Sequence, residues 1–188
     1  SFRLFLGLMA STRNITFTYT GFEKLNNDKA HLIIANHPTL IDYVAITSQL
    51  KHCYNIVKAD AANTPFMKPM IQGAGYVSNA DPEAAFTRIQ DLLNNGQNLL
   101  IFPEGTRTTP GKPIKCQRGA AHIALRLQLP ITVIRIRCLS GFLTKHEKWY
   151  TVPREKVYFD VEVLDDIDIT PFLKDDMLPS IAARRLTQ

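Results

Sequence analysis

Three short, almost unbroken apolar runs, residues 31–35 (HLIIA), 98–102 (NLLIF) and 131–138 (ITVIRIRC), constrain this 188-residue chain more than any other feature. Runs of this length read as buried strands. Between them lie segments with helical spacing: 39–50 with Leu40, Val44 and Ile46, 82–95 with Ala85, Phe86, Ile89, Leu92 and Leu93, and 119–128 with Ala120, Ile123, Ala124 and Leu127. Asp81 or Asn79 caps the second of these helices and Gly96 stops it. Strands that alternate with helices predict an α/β domain with a central, largely parallel or mixed sheet flanked by helices. Further strands are expected at 54–58, 76–77 and 156–164. The last of these, KVYFDVEVL, alternates with Val157, Phe159, Val161 and Val163 on one face. A short apolar helix is expected at 65–72, followed by a turn at Gly73 and Gly75, and a frayed helix at 179–188. No repeat or linker divides the chain, so residues 1–188 read as a single domain with its core at about 14–164.

Twenty-two Lys and Arg against seventeen Asp and Glu give a net charge of +5, which favours acidic partners: an anionic membrane surface, a phosphorylated substrate or an acidic carrier protein. The basic residues are dispersed and do not interleave with aromatics in a nucleic-acid module, so no nucleic acid is expected. Cys53, Cys116 and Cys138 share no close spacing and imply neither a disulfide framework nor a zinc site, in keeping with a reducing compartment. The apolar N-terminus (residues 1–10) is shorter than the roughly 20 residues that span a bilayer. It is expected to be the remnant of a longer, membrane-anchored protein.

Two polar clusters follow predicted strands: Asn36-His37-Pro38-Thr39-Leu40-Ile41-Asp42 after the first and Phe102-Pro103-Glu104-Gly105-Thr106-Arg107 after the middle one. In open α/β sheets, sites gather at the carboxyl ends of strands. Pro38 disfavours a helical His37, so the imidazole sits in the loop and can fold back on the first helical turns, where Asp42 lies. A carboxylate there holds one ring nitrogen protonated and leaves the other free to take a proton. The bland alternative is a capping His37 and a solvated Asp42. In the second cluster Gly105 lets backbone approach a substrate, Arg107 offers a planar fork for phosphate, and exposed amides can receive an oxyanion. Its own alternative is an ordinary turn with a surface Arg.

Together the clusters resemble the lysophospholipid acyltransferase family, the glycerolipid acyltransferases typified by bacterial 1-acylglycerol-3-phosphate acyltransferase. The first matches the family's NHxxxxD motif and the second its FPEGTR motif without a mismatch. Lys58 resembles the basic residue after the family's second strand, Arg118-Gly119-Ala120 its basic-Gly-Ala step, and Leu129-Pro130-Ile131 the start of its fourth motif. Two positions depart from the pattern: Asn79 stands where the second motif usually ends in Arg, and Val133 where the fourth usually has Pro.

The resemblance implies a glycerol-phosphate acyltransferase-like fold and transfer of a fatty acyl group from an acyl-CoA or acyl-ACP thioester to the hydroxyl of a lysolipid acceptor. His37, oriented by Asp42, is the base; amides near Gly105 and Thr106 hold the oxyanion; Glu104 binds an acceptor hydroxyl. Arg107, with Lys58 or Arg118, binds an anion. No metal, cofactor or acyl-enzyme is implied, and the protein is expected at the cytoplasmic face of a membrane. Asn79 points to an acceptor other than lysophosphatidate. Thioester or ester hydrolysis and a non-catalytic lipid-binding module remain alternatives. His31, His52, His122 and His146 read as structural or solvated. Arg135 and Arg137 line one face of a strand, solvated or turned to lipid headgroups or an acidic carrier protein. Phe66, Met67, Met70 and Ile71 are core, or touch acyl chains or membrane.

Overall fold

The computed structural model describes residues 2–11, 15–27, 29–57, 76–78, 81–148, 153, 155–173 and 177–188. Lys58, Asn79, the expected helix at 65–72 with Phe66, Met67, Met70 and Ile71, and the turn at Gly73 and Gly75 lie outside the described residues.

The described strands are β1 (Ile15–Thr20), β2 (Leu32–Ala35), β3 (Cys53–Val57), β4 (Tyr76–Ser78), β5 (Asn98–Ile101), β6 (Ile131–Cys138) and β7 (Val157–Val163). They form one sheet in the order β1-β7-β6-β2-β5-β3-β4. Every neighbouring pair is parallel except β6 with β7. The described α-helices are α1 (Phe2–Ser11), α2 (Asp42–Thr47), α3 (Pro82–Asn94), α4 (Gly119–Leu127) and α5 (Pro179–Leu186).

The central strands are apolar throughout because both faces are covered. On one face Ile33, Ala35, Leu100, Ile134, Ile136 and Phe159 pack with Ala45 and Ile46 of α2. On the other, Leu32, Leu99 and Ile101 pack with Ala85, Ile89 and Leu92 of α3 and Ala120, Ile123 and Ala124 of α4. Alternate residues of β2 and β5 thus serve opposite cores, as a strand's two-residue period requires. Burying each such side chain is worth about 1.5–3 kcal/mol.

Several elements differ from expectation. The strand β1 was not anticipated. Its sequence ITFTYT alternates apolar with Thr, and Ile15 joins the first core while Thr18 and Thr20 face out. The helix expected at 39–50 covers only Asp42–Thr47, because the Thr39 N–H turns to the Asp42 carboxylate and the Leu40 N–H to Leu143 O. The C-terminal segment is not frayed: Ala182 and Ala183 of α5 are buried where it packs on α4. Arg135 and Arg137 stand opposite Glu162 and Asp160 in the β6–β7 register, and Arg135 is ion-paired with Glu162. A carboxylate thus stands opposite each cation in register, and one of the two cations is paired.

The apolar N-terminus forms the ten-residue α1, packed on α2 and β1, with Arg3 Nε donating to Ser48 O at 2.5 Å. Among the described residues no helix is long and apolar enough to cross a membrane.

Candidate active site

The strands β2, β5 and β6 run parallel, so the residues that follow them, Asn36, Phe102 and Leu139, emerge at the same end of the sheet. Asn36 binds this rim to β6: its Nδ2 donates to Ile136 O at 2.8 Å and its Oδ1 accepts from Ile136 N at 2.7 Å.

His37 follows in the loop, outside α2, and its Nδ1 lies 2.7 Å from Asp42 Oδ2. Asp42 is completely buried. Its Oδ2 also accepts from Thr39 N at 2.8 Å, and its Oδ1 from the Thr39 hydroxyl at 2.6 Å. Burial pushes the Asp42 carboxyl above its usual range, and the hydrogen bonds from His37 and Thr39 oppose that shift. A carboxylate can only accept, so Nδ1 carries the proton and Nε2 presents a lone pair. Nε2 has no hydrogen-bond partner among the described residues, and 21 % of the side chain is exposed.

Two contacts that the sequence did not announce complete the imidazole's setting. The Phe102 ring stacks on it, with centroids 4.2 Å apart and planes 21° apart. Thr39 holds Asp42 in place, and its signal was present as a Thr-x-x-Asp spacing, the pattern of a capping box.

The FPEGTR loop is sewn to the His37 loop. Glu104 Oε1 accepts from His37 N at 2.9 Å and from the Thr108 hydroxyl at 2.8 Å, while Thr108 N donates to His37 O at 2.7 Å. The expected acceptor contact for Glu104 is therefore left to Oε2. Glu104→Ala should cost about 2 kcal/mol in urea unfolding, because it strands an N–H and a hydroxyl. Glu104→Gln, whose amide oxygen can accept both bonds, should cost less than about 1 kcal/mol.

Gly105 adopts a left-handed φ of 64°, which suits glycine, and its N–H closes the turn on Phe102 O at 2.9 Å. That engagement corrects the expectation of a free Gly105 amide for an oxyanion. The Thr106 N–H has no partner among the described residues. Arg107 Nη1 donates to Leu143 O at 3.3 Å and Thr144 O at 2.9 Å, so the guanidinium braces the β6–β7 connection. Its Nε and Nη2 have no hydrogen-bond partner among the described residues. Arg118 is exposed at the start of α4.

A groove of about 330 Å³ begins at Phe102 and Gly105 and runs between α3 and α4, lined by Ala85, Ile89, Ala120 and Ile123 among others. Across it Arg126 pairs with Glu83, at 3.2 and 3.4 Å, and lies over the Phe86 ring at 3.6 Å from the centroid. Among the described residues no three His, Cys, Asp or Glu side chains gather as a metal site would need. Burial raises all three thiols, Cys53 to about 12, so none is poised as a nucleophile.

An oriented imidazole at the carboxyl ends of a mixed α/β sheet, beside an apolar groove, is a setting in which a ring nitrogen can take a proton from a hydroxyl or water. The model of the Acyltransferase family matches residues 16–137, and the chain belongs to that family. It is 28 % identical over 161 residues to the 1-acyl-sn-glycerol-3-phosphate acyltransferase alpha of Ovis aries, covering 82 % of this chain and 54 % of that protein. The alpha protein of Homo sapiens is 26 % identical over 161 residues, covering 82 % of this chain and 55 % of its own length. The chain thus spans about half the length of these curated relatives. Its fold is similar to that of PlsC, the 1-acyl-sn-glycerophosphate acyltransferase of Thermotoga maritima, with a TM-score of 0.60 and 20 % identity, covering 91 % of this chain and 68 % of that one.

Proposed function

We propose that this protein transfers a fatty acyl group from an acyl-CoA or acyl-ACP thioester to the free hydroxyl of a 1-acylglycerol 3-phosphate. The observation that carries this reading is the 2.7 Å contact of His37 with a buried Asp42, which leaves Nε2 open beside the Phe102–Thr108 loop. In the reaction, Nε2 takes the acceptor hydroxyl proton as the oxygen attacks the thioester carbonyl carbon. The tetrahedral oxyanion collapses with cleavage of the carbon–sulfur bond, and the thiolate leaves with the proton returned by His37. The Thr106 amide is the donor best available to the oxyanion, Glu104 Oε2 meets an acceptor hydroxyl, and the free edge of Arg107, with Arg118 and Lys58, meets phosphate. The groove between α3 and α4 receives the acyl chain.

The acceptor is where sequence and relatives pull apart. Asn79 pointed away from lysophosphatidate, but the named relatives act on 1-acylglycerol 3-phosphate and support that acceptor here. Product analysis with acyl-CoA or acyl-ACP, with and without acceptor, tests the reading. We expect phosphatidate only when lysophosphatidate is present. Free fatty acid released equally without acceptor would instead mark a hydrolase.

A further inference from the structure

We infer that Leu143, in the connection between β6 and β7, is a positioning residue for the reaction: its left-handed backbone aims one carbonyl at donors from both motif loops and so fixes where His37 and Arg107 stand. The inference rests on the acyl-transfer reading only for its effect on turnover; the geometry that carries it is independent of any substrate.

Four non-glycine residues have a positive φ among the described residues: His52, Gln128, Leu143 and His146. The other three are polar and exposed, and Gln128 is the C-cap of α4, where a left-handed residue commonly closes a helix. Leu143 differs. Its apolar side chain is 6 % exposed, in the core that Ala45, Ile46 and Ile136 share, and its φ is 53°. Leucine has no side-chain oxygen to bond its own backbone and ease that conformation, as asparagine or aspartate has. A residue held this way persists only where its surroundings over-determine it, and such residues gather at functional sites.

What holds Leu143 is the site itself. Its carbonyl oxygen accepts from Leu40 N at 3.0 Å and from Arg107 Nη1 at 3.3 Å, so each motif loop engages one of its two lone pairs. The same Nη1 reaches Thr144 O at 2.9 Å. On the first side, the bond to Leu40 keeps residues 39–41 out of α2. The Thr39 N–H and hydroxyl are thereby left to Asp42, whose Oδ2 meets His37 Nδ1. On the second side, the bond fixes Nη1 and so sets the direction in which Nε and Nη2 face. Leu143 therefore acts through Leu40 and Arg107, not on the reacting atoms. The groove between α3 and α4 belongs to the other face of the sheet, so occupation of that groove should not depend on Leu143.

The test compares wild type with Leu143→Ile, Leu143→Met and Leu143→Gly in steady-state turnover, thermal unfolding and long-range proton–nitrogen NMR of the His37 ring, assigned by its loss in His37→Ala. Isoleucine keeps the apolar volume, but its β-branch opposes a positive φ. Methionine keeps the volume without that branch, and glycine accepts the φ freely but removes the buried side chain. With lysophosphatidate as acceptor, kcat should fall about ten- to hundredfold in Leu143→Ile and stay within about threefold of wild type in the other two. The KM for the acceptor should rise in Leu143→Ile and that for the donor should not. Tm should follow a different order, lowest in Leu143→Gly. Turnover that falls in the same order as Tm would reduce Leu143 to packing and overturn the proposal, as would wild-type kcat in Leu143→Ile. If Leu143→Gly does not fold, the contrast between isoleucine and methionine decides. The ring spectrum reads the same positioning without substrate: the proton should sit on Nδ1 in wild type and Leu143→Met and be divided between the two nitrogens in Leu143→Ile. A wild-type chain without turnover would count against acyl transfer alone, and identical His37 spectra in all three would then overturn the positioning.

Discussion

His37→Ala should lower acyl-transfer turnover by about 10²- to 10⁴-fold, the usual contribution of a positioned general base, while the protein stays folded. The backbone bonds that place residue 37, from its N–H to Glu104 and from Thr108 to its C=O, do not involve the side chain. What the variant loses is the Phe102 stack and one hydrogen bond to a charged partner, about 1.5–3 kcal/mol. A difference of that size shifts Tm by several degrees in a chain of this length. Initial rates and a thermal melt on the same preparation check both halves. A variant with turnover near wild type would remove His37 from the mechanism.

Asp42→Asn should cost a comparable factor, about 10²- to 10⁴-fold, for a different reason. The amide can present its NH₂ to His37 Nδ1, which would reverse the tautomer and take the lone pair away from Nε2. Stability should move the other way. Burial raises the Asp42 pKa, so the folded state disfavours the carboxylate relative to the unfolded chain. That sign means its contribution is most favourable at acid pH and is lost as pH rises towards the folded-state pKa. The stability of Asp42→Asn relative to wild type should therefore improve with pH across that interval and then level off. Urea unfolding of both proteins at several pH values reads the trend; a relative stability that falls with rising pH would reverse the assigned sign.

The central strands were legible because burial on both faces leaves continuous apolar runs, and β7 because one-sided burial leaves strict alternation. The meeting of His37 and Asp42 was legible as well, since Pro38 alone argues that residue 37 lies outside the helix. β1 was missed because half its residues are threonines, whose alternation with Ile15, Phe17 and Tyr19 carries a weak apolar signal. The shortened α2 depends on Leu40 N reaching Leu143, and a partner so distant in sequence leaves no local pattern. For the same reason no local pattern announced that Glu104 and Arg107 also brace neighbouring loops. Their bonds to His37 and to the β6–β7 connection span 67 and 36 residues, and only the folded chain brings those partners together.

If the imidazole and its carboxylate act as one unit, the two substitutions should not multiply. Steady-state turnover of the double variant His37→Ala/Asp42→Asn, set against both single variants and wild type, is the most direct measure of that coupling. The double variant should match His37→Ala within about threefold, since Asp42 has no base left to orient. Losses that compound to the product of the two single effects would mean that Asp42 serves turnover independently of His37.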